Sequence, residues 1–552
     1  MLTQLAVLSL SVAPAAHAGD VTFVNGHFSR SDGTVFVPLG GFYANLMARV
    51  DGEVLGELVP FQKLSEDEWR AWFALLQDNG CNALRVFCRQ HDERDENPVQ
   101  WTLDAGGHVD PELMATFERF FSIGQEYGIS FLMTLLSEPR GSVYRHWAPI
   151  LQAHPQYAPN GWEWNSFVPE VLNSRRLLKT RAEYFTDAEA VALQKQYLTE
   201  LVPRLRDNPA VFAVELYNEM AWFGEFGWET QDLEIAWSNE MIDVVREHAP
   251  DLPVCFSLAG HGVTGIDPIR WAKGIDADFF SSHYYPRISG ESPELDYGGA
   301  TALIHDYCAV AMPNWPGESG VLDGNVPDDL RQLALRDSIW LSLVSGGAGY
   351  MQWPIKRQPV GQLGEYRLAA EFLAGEDWLA GDLASPRVTI DIRELARLFE
   401  TLEDRDAKLA SPLFDSLRRY EKLSLDRGIA IALRLGEAGI DGGQFDEDAM
   451  DGITPWLSVP AGYQMRCIAA QDLSAGIAYL RNWEPEAFGP YALRRGADRP
   501  FGLDTNLPEG RYRFEVLDLG RGKSEVTECL SPGPVLQPRE TTADFAVKFR
   551  RL

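Results

Sequence analysis

Cysteine is sparse in this chain and never closely paired. The 552 residues hold six, at Cys81, Cys88, Cys255, Cys308, Cys467 and Cys529, with no Cys-x-x-Cys and no clustered histidine beside them. That spacing excludes the common zinc sites, so no metal and no cofactor are expected. Cys81 and Cys88 flank one expected strand, and extended chain holds them too far apart to bridge each other. Long apolar runs are missing too. Past the N-terminus none approaches the roughly 18 residues of a membrane span, so no span is expected. Positive charge is scarce: 49 Lys+Arg stand against 80 Asp+Glu, for a net charge of −31. A surface of that sign repels phosphate backbones, which excludes nucleic acid as an expected partner and makes an acidic polymer a poor substrate. A neutral partner fits, and the acidic excess equally serves solubility or a saline habitat. No internal repeat with a period of roughly 20–50 residues is visible, which argues against a solenoid or propeller.

What is present begins with an apolar stretch from Leu5 to Ala16 that ends in Ala16-His17-Ala18, a small-x-small cleavage pattern. Residues 1–18 are therefore expected to be an export signal, giving a secreted or periplasmic protein, although Met1-Leu2-Thr3-Gln4 carries no Lys or Arg.

Hydrophobic residues make up 45% of the chain, enough for a large core, and the length calls for more than one compact unit. Residues 19–408 alternate short β-rich runs with amphipathic helices, the signature of a parallel α/β fold. The strand candidates are Val35–Leu39, Ala83–Phe87, Ser130–Leu135, Val211–Tyr217, Val254–Ser257, Phe279–Ser282, a segment near Asn314–Gly317, and Ala348–Gln352. Eight strands close a (β/α)₈ TIM barrel. Helices are expected over Glu66–Asn79 behind the N-cap Ser65, from Asp110-Pro111 to about Tyr127, and over Asp187–Arg206, Trp237–His248 and Asp328–Ser345. Ahead of the barrel, Val21–Phe28 and Thr34–Val37 are expected to form a β-hairpin across its floor. From 409 to 552 the texture changes to short alternating runs (Ile429–Arg434, Tyr463–Ala469, Ile477–Arg481, Tyr512–Leu517, Asp544–Phe549) between Gly, Pro and Asp turns. These predict a small antiparallel β-domain, sandwich-like, joined by a short linker near Leu409–Pro412 and packed closely on the barrel.

In such a barrel the catalytic groups stand at the C-terminal ends of the strands. Those ends carry Tyr43 and Asn45 after strand one, Arg85 in strand two, Asn218-Glu219 after four, His283-Tyr284-Tyr285 at six, Glu318 at seven and Trp353 at eight. Two carboxylates among aromatics suit a neutral sugar: rings stack on sugar faces, one carboxylic acid protonates the departing oxygen and the other attacks the anomeric carbon. A nearby Arg and Tyr hydroxyl would keep Glu318 ionised, and a drier setting would let Glu219 hold its proton.

The run from Tyr184 through Asp207-Asn208-Pro209 to Leu216-Tyr217-Asn218-Glu219-Met220 resembles strand four of the retaining (β/α)₈ glycosidases of clan A, which include the glycoside hydrolase family 5 cellulases and mannanases. The resemblance covers roughly residues 21–400. It implies Glu219 as general acid/base, Asn218 as ligand of the sugar 2-hydroxyl, and Glu318 in Glu318-Ser319-Gly320 as nucleophile. Arg85, His283, Tyr285 and Trp353 match the clan's substrate-binding positions, and no cofactor is implied. The chain departs from family 5 at strand three, where Leu135-Leu136-Ser137-Glu138 stands in place of a His. It departs also at strand seven, where Pro316 cannot donate to the ladder, so that strand must be short or bulged.

The function expected on these grounds is a retaining β-glycoside hydrolase for a neutral glucan, mannan or galactan. A transglycosylase with the same site and a glycan-binding barrel without chemistry stand as alternatives. Glu215, inside strand four rather than at its end, reads as a non-catalytic neighbour, and Glu138 after strand three as a rival carboxylate. Arg85 has an alternative reading as a core ion pair, His283 as a core histidine and Trp353 as barrel packing. Trp147, Trp162, Trp164, Trp222, Phe223 and Trp228 crowd the expected loops after strands three and four, where a long connection suggests a walled cleft.

Overall fold

The computed structural model describes residues 21–42, 64–87, 108–137, 185–219, 228–258, 274–284, 314–319, 328–353, 362–384, 456–457, 463–482 and 499–552, apart from a few positions within them, and short strand pairs at 49–54, 89–101 and 389–446. The expected export signal, the linker near 409–412 and the run Ile429–Arg434 lie outside the described residues.

Eight parallel strands close into a barrel, each beside its neighbour in sequence. They are Leu39–Phe42, Ala83–Phe87, Ser130–Ser137, Val211–Asn218, Val254–Leu258, Phe279–Tyr284, Asn314–Ser319 and Tyr350–Gln352, numbered one to eight below. Closure is made by Tyr350–Gln352 pairing with Leu39–Gly41. Helices cover the outside in the connections one–two (Glu66–Asp78), two–three (Pro111–Glu126), three–four (Ala188–Arg206), four–five (Trp228–His248) and seven–eight (Asp328–Val344), with Gly364–Leu373 after strand eight. The first shows how the sequence sets a boundary. The Ser65 hydroxyl accepts from the Glu68 N–H while the Glu68 carboxylate accepts from the Ser65 N–H, a reciprocal cap, and Trp69, Trp72, Phe73 and Leu76 form its buried face. None of the described helices is long and apolar enough to cross a membrane.

Three expectations need correction. Val21–Phe28 is two strands, Val21–Val24 and His27–Arg30, because Gly26 turns the chain between them at φ +89°. Val35–Phe36 then pairs with His27–Arg30 as the third strand of this sheet, so barrel strand one is Leu39–Phe42 rather than Val35–Leu39. Within that strand, strand two passes so close that a Cβ on Gly40 would stand 1.9 Å from the Ala83 carbonyl oxygen. The helix before strand five begins at Trp228 rather than Trp237; its opening Glu229, Thr230, Gln231 and Asp232 lack the apolar periodicity that marks a helix.

The N-terminal sheet plugs the barrel floor. Phe28 meets Phe212, Phe279 and Trp315 edge-on at 5.3, 5.0 and 6.3 Å between ring centroids, and these three residues open strands four, six and seven. Aromatic packing seals this end, which leaves the opposite end for chemistry.

The C-terminal strands form a six-stranded sheet, antiparallel as expected. Its first strand, Leu383–Ala384, precedes residue 409 and pairs with Ala469–Ala470. One face keeps its own core around Trp456, Tyr463, Phe501, Phe514, Phe545 and Phe549. Ile468, Ile477, Tyr479, Leu517 and Ala546 join the barrel's core, with Tyr479 stacked on Trp340 at 6.3 Å. Buried charges pin this contact. Arg336 is bidentate on Glu365 at 3.0 and 2.7 Å and reaches Asp544 at 3.3 Å, while Asp337 accepts from Arg481 at 3.0 Å and from the Tyr479 hydroxyl.

Burial and then the nearby Asp337 charge push the Asp544 carboxyl from its ordinary value of 3.8 up to about 6, with Arg336 opposing them. The folded protein thus holds this proton more tightly than the unfolded chain. Asp544 contributes stability below its unfolded value that is lost as pH rises through about 6. The prediction is that the native protein loses about 1–3 kcal/mol relative to Asp544→Asn between pH 4 and pH 6.5, read from urea unfolding at each pH. A difference that is flat, or that grows with pH, contradicts it.

Candidate active site

The C-terminal ends of strands two, four, six and seven converge on a buried group of charges. Arg85, fully buried, is its centre. Its Nε and Nη2 donate to one oxygen of Glu215 at 2.8 and 2.6 Å, Nη2 also donates to the Asn218 Oδ1 at 2.7 Å, and Nη1 donates to Glu318. The Thr134 hydroxyl adds a third donor to the same Glu215 oxygen at 2.5 Å. The Phe87 ring lies 4.8 Å from the guanidinium carbon. Burial alone would lower the arginine's proton affinity, but the Glu215 and Glu318 charges outweigh it and raise the value, so Arg85 stays a cation.

Strand four brings Asn218 to this cation and places Glu219 just past it. Glu219 is the first residue beyond the strand and takes a left-handed backbone, φ +52°, which costs a non-glycine residue about 1–2 kcal/mol. Its N–H donates to the Ser257 hydroxyl at 2.8 Å, and that hydroxyl donates to the Tyr217 carbonyl at 3.3 Å. The Glu219 side chain is buried, with one oxygen 2.9 Å from the His283 Nδ1.

Strand seven is bulged, as Pro316 required. Ser282 pairs with Pro316 and His283 with Glu318, so Gly317 is the extra residue. Glycine leaves room there: a Cβ would stand 1.9 Å from the Ser281 hydroxyl and would force that side chain to move. The bulge turns Glu318 toward Arg85 and His283, the latter at 3.5 Å. An oxygen of Glu219, an oxygen of Glu318 and a ring nitrogen of His283 all lie within 4.8 Å of one another. This is also the described group that could offer ligands to a cation; Arg85 already sets one positive charge against Glu318.

Of the residues singled out in the sequence, Arg85, Asn218, Glu219, His283 and Glu318 meet in one site. Trp353 directly follows strand eight, partly buried, and its N–H donates to the Ser319 carbonyl at 2.6 Å. Tyr43, Asn45, Glu138, Tyr285, Trp147, Trp162, Trp164, Trp222 and Phe223 lie outside the described residues. Arg85 is a core ion pair and a site residue at once, two readings the sequence set against each other. Sequence reasoning missed the supporting roles of Glu215, Thr134 and Ser257. A signal existed for the first: a carboxylate inside the apolar strand Val211–Asn218 requires a buried cation.

The Arg85–Glu215 pair generates a prediction. Arg85→Met strands a buried carboxylate and should cost about 3–5 kcal/mol of stability in denaturant unfolding. Adding Glu215→Gln should restore much of that loss while activity stays absent. Full additivity of the two changes contradicts the pairing.

No protein-family model matches the chain. A probable mannan endo-1,4-β-mannosidase F from Emericella nidulans is 29% identical over 146 residues, 24% of this chain and 32% of that protein. The chain thus spans about a third of the length of the curated relative it matches. Among solved structures, an exo-β-1,4-mannosidase from Opitutaceae bacterium strain TAV5 aligns at 16% identity over 64% of this chain and 62% of that one, with a TM-score of 0.45. A glycoside hydrolase family 5 mannosidase from Rhizomucor miehei aligns at 13% over 65% and 99%, with a TM-score of 0.46. A family 5 glycoside hydrolase from Bacteroides vulgatus aligns at 12% over 97% and 94%, with a TM-score of 0.47. The chain's barrel is similar to that of glycoside hydrolase family 5, the resemblance that its strand-four and strand-seven motifs carry.

Proposed function

We propose that this protein is a retaining β-glycoside hydrolase that cleaves a neutral, mannan-type β-linked glycan by double displacement. The observation that carries the reading is the approach of Glu219 and Glu318, whose nearest oxygens lie within 4.8 Å. Retaining pairs stand about 5–5.5 Å apart, whereas inverting pairs need about 6.5–9.5 Å to admit a water. The relative from Emericella nidulans, a mannosidase, supports mannan over glucan or galactan.

The two carboxylates have different surroundings, and these divide the roles. Glu318 receives a charge-assisted hydrogen bond from Arg85, which favours its anionic form and suits the nucleophile. Glu219 is buried just past strand four and faces His283, so it is the group placed to carry a proton to the departing oxygen. In the first step the Glu318 oxygen bonds to the anomeric carbon as the glycosidic C–O bond breaks, and the Glu219 proton goes to the leaving oxygen. In the second, Glu219 takes a proton from water, the water oxygen bonds to the anomeric carbon, and the Glu318 ester bond breaks. Asn218, fixed by Arg85, stands beside the acid where it can bind the sugar 2-hydroxyl. No step requires a metal. We also infer export from the N-terminal apolar stretch; a secreted product beginning at Gly19 supports that, and a product retaining Met1 contradicts it.

Glu219→Gln tests the division of roles. On an unactivated manno-oligosaccharide its rate should fall about 10²–10⁴-fold. On an aryl β-mannoside with a good leaving group, azide should restore turnover and yield the β-azide. Azide should rescue Glu318→Gln to the α-azide, since it attacks the face that the nucleophile has vacated; an α-azide from Glu219→Gln with a β-azide from Glu318→Gln would swap the two roles, and unchanged rates in both variants would end the proposal. Chelation with EDTA should leave the native rate unaltered.

A further inference from the structure

Three features meet at the end of strand four. Glu219 sits in a left-handed backbone that a side chain rarely adopts. The N–H of that residue has a designated acceptor, the Ser257 hydroxyl at 2.8 Å, supplied by the neighbouring strand five. The same hydroxyl donates its own proton to the Tyr217 carbonyl at 3.3 Å. One fully buried side chain thus holds the backbone on both sides of Asn218.

We propose that Ser257 is a positioning residue for the acid: its hydroxyl stabilises the strained turn that aims the Glu219 carboxyl into the site. The proposal rests on the reading of Glu219 as the general acid. The chemistry of a hydroxyl is what the position needs. It must accept from one backbone group and donate to another within a single strand residue, which Ser and Thr can do and Ala, Val and Cys cannot do with comparable strength. Without it, the Glu219 N–H would be a buried donor lacking its acceptor, and the left-handed residue would lose the contact that offsets its strain. The backbone would then relax and swing the carboxyl away from the leaving oxygen. Arg85 and Glu318 are held by a separate set of bonds, so the nucleophile would keep its place.

This predicts a loss that depends on the leaving group. Ser257→Thr and Ser257→Val have nearly the same shape and differ in the hydroxyl, so the pair controls for packing. With kcat/KM as the readout of the first chemical step, Ser257→Val should lose about 10–100-fold on a manno-oligosaccharide. It should lose less than about 3-fold on the 2,4-dinitrophenyl glycoside of the same sugar, whose leaving group needs little protonation. Ser257→Thr should stay near the native rate on both. Equal losses on the two substrates, or the same behaviour in Thr and Val variants, overturn the proposal. Glu219→Gln measured alongside separates the two claims. If it discriminates between the leaving groups and Ser257→Val does not, the positioning role alone falls. If Glu219→Gln loses rate equally on both, the acid assignment falls and the Ser257 role with it.

Discussion

A single buried guanidinium organises the site. Arg85 lies without solvent contact between strands, and its nitrogens are divided among Glu215, Asn218 and Glu318. A cation so placed is tolerable only because two carboxylates neutralise it and a side-chain amide takes part of its donor capacity. The constraint acts in both directions. Glu215 is three-fold hydrogen-bonded and structural, which leaves Glu318 as the carboxylate that both touches the cation and stands at a strand end. Asn218 is oriented by the same nitrogen that binds Glu215, so this amide and the Glu318 carboxylate share one anchor. A Lys, with a point charge and no fork, could not hold three partners in that geometry.

The rest of the molecule keeps this anchor rigid at one end of the barrel. Aromatic rings from the N-terminal sheet fill the floor, where Phe28 packs on the opening residues of strands four, six and seven. Those strands run upward to Glu219, His283 and Glu318. Two backbone irregularities lie at the functional end, the left-handed Glu219 and the bulge at Gly317, and each aims a carboxylate. The C-terminal sheet packs on the outer helices through Tyr479, Trp340 and the Arg336 network. Its described contacts are with the barrel's helical layer, which fits a bracing role.

Much of this was legible in the sequence because each strand obeys a local pattern. Val211–Tyr217 and Ala83–Phe87 are short apolar runs bounded by turn residues, and Asn218-Glu219 terminates one of them. Pro316 announced the irregularity of strand seven, since a residue without an N–H cannot sit in a regular ladder. Other features resisted reading for physical reasons. Strand one includes Gly40, whose backbone lies against Ala83, a contact between residues far apart in sequence. The helix start at Trp228 is masked by polar residues with no periodicity. Glu215 looked idle because its value comes from Arg85, 130 positions away, and Ser257 is one serine in an apolar strand until its two backbone partners are in view. Local pattern locates groups that point into a site. It does not show which groups hold them there.

The central claim is that Glu318, held ionised by Arg85, forms a covalent bond to the sugar. A 2-deoxy-2-fluoro β-mannoside with an activated leaving group tests this most directly, because the fluorine slows both steps and the good leaving group spares the first. Mass spectrometry of the inactivated, digested protein should find one fluorosugar per chain, on the peptide containing Glu318 and on that residue. A label on Glu219, or inactivation without any covalent adduct, would contradict the account.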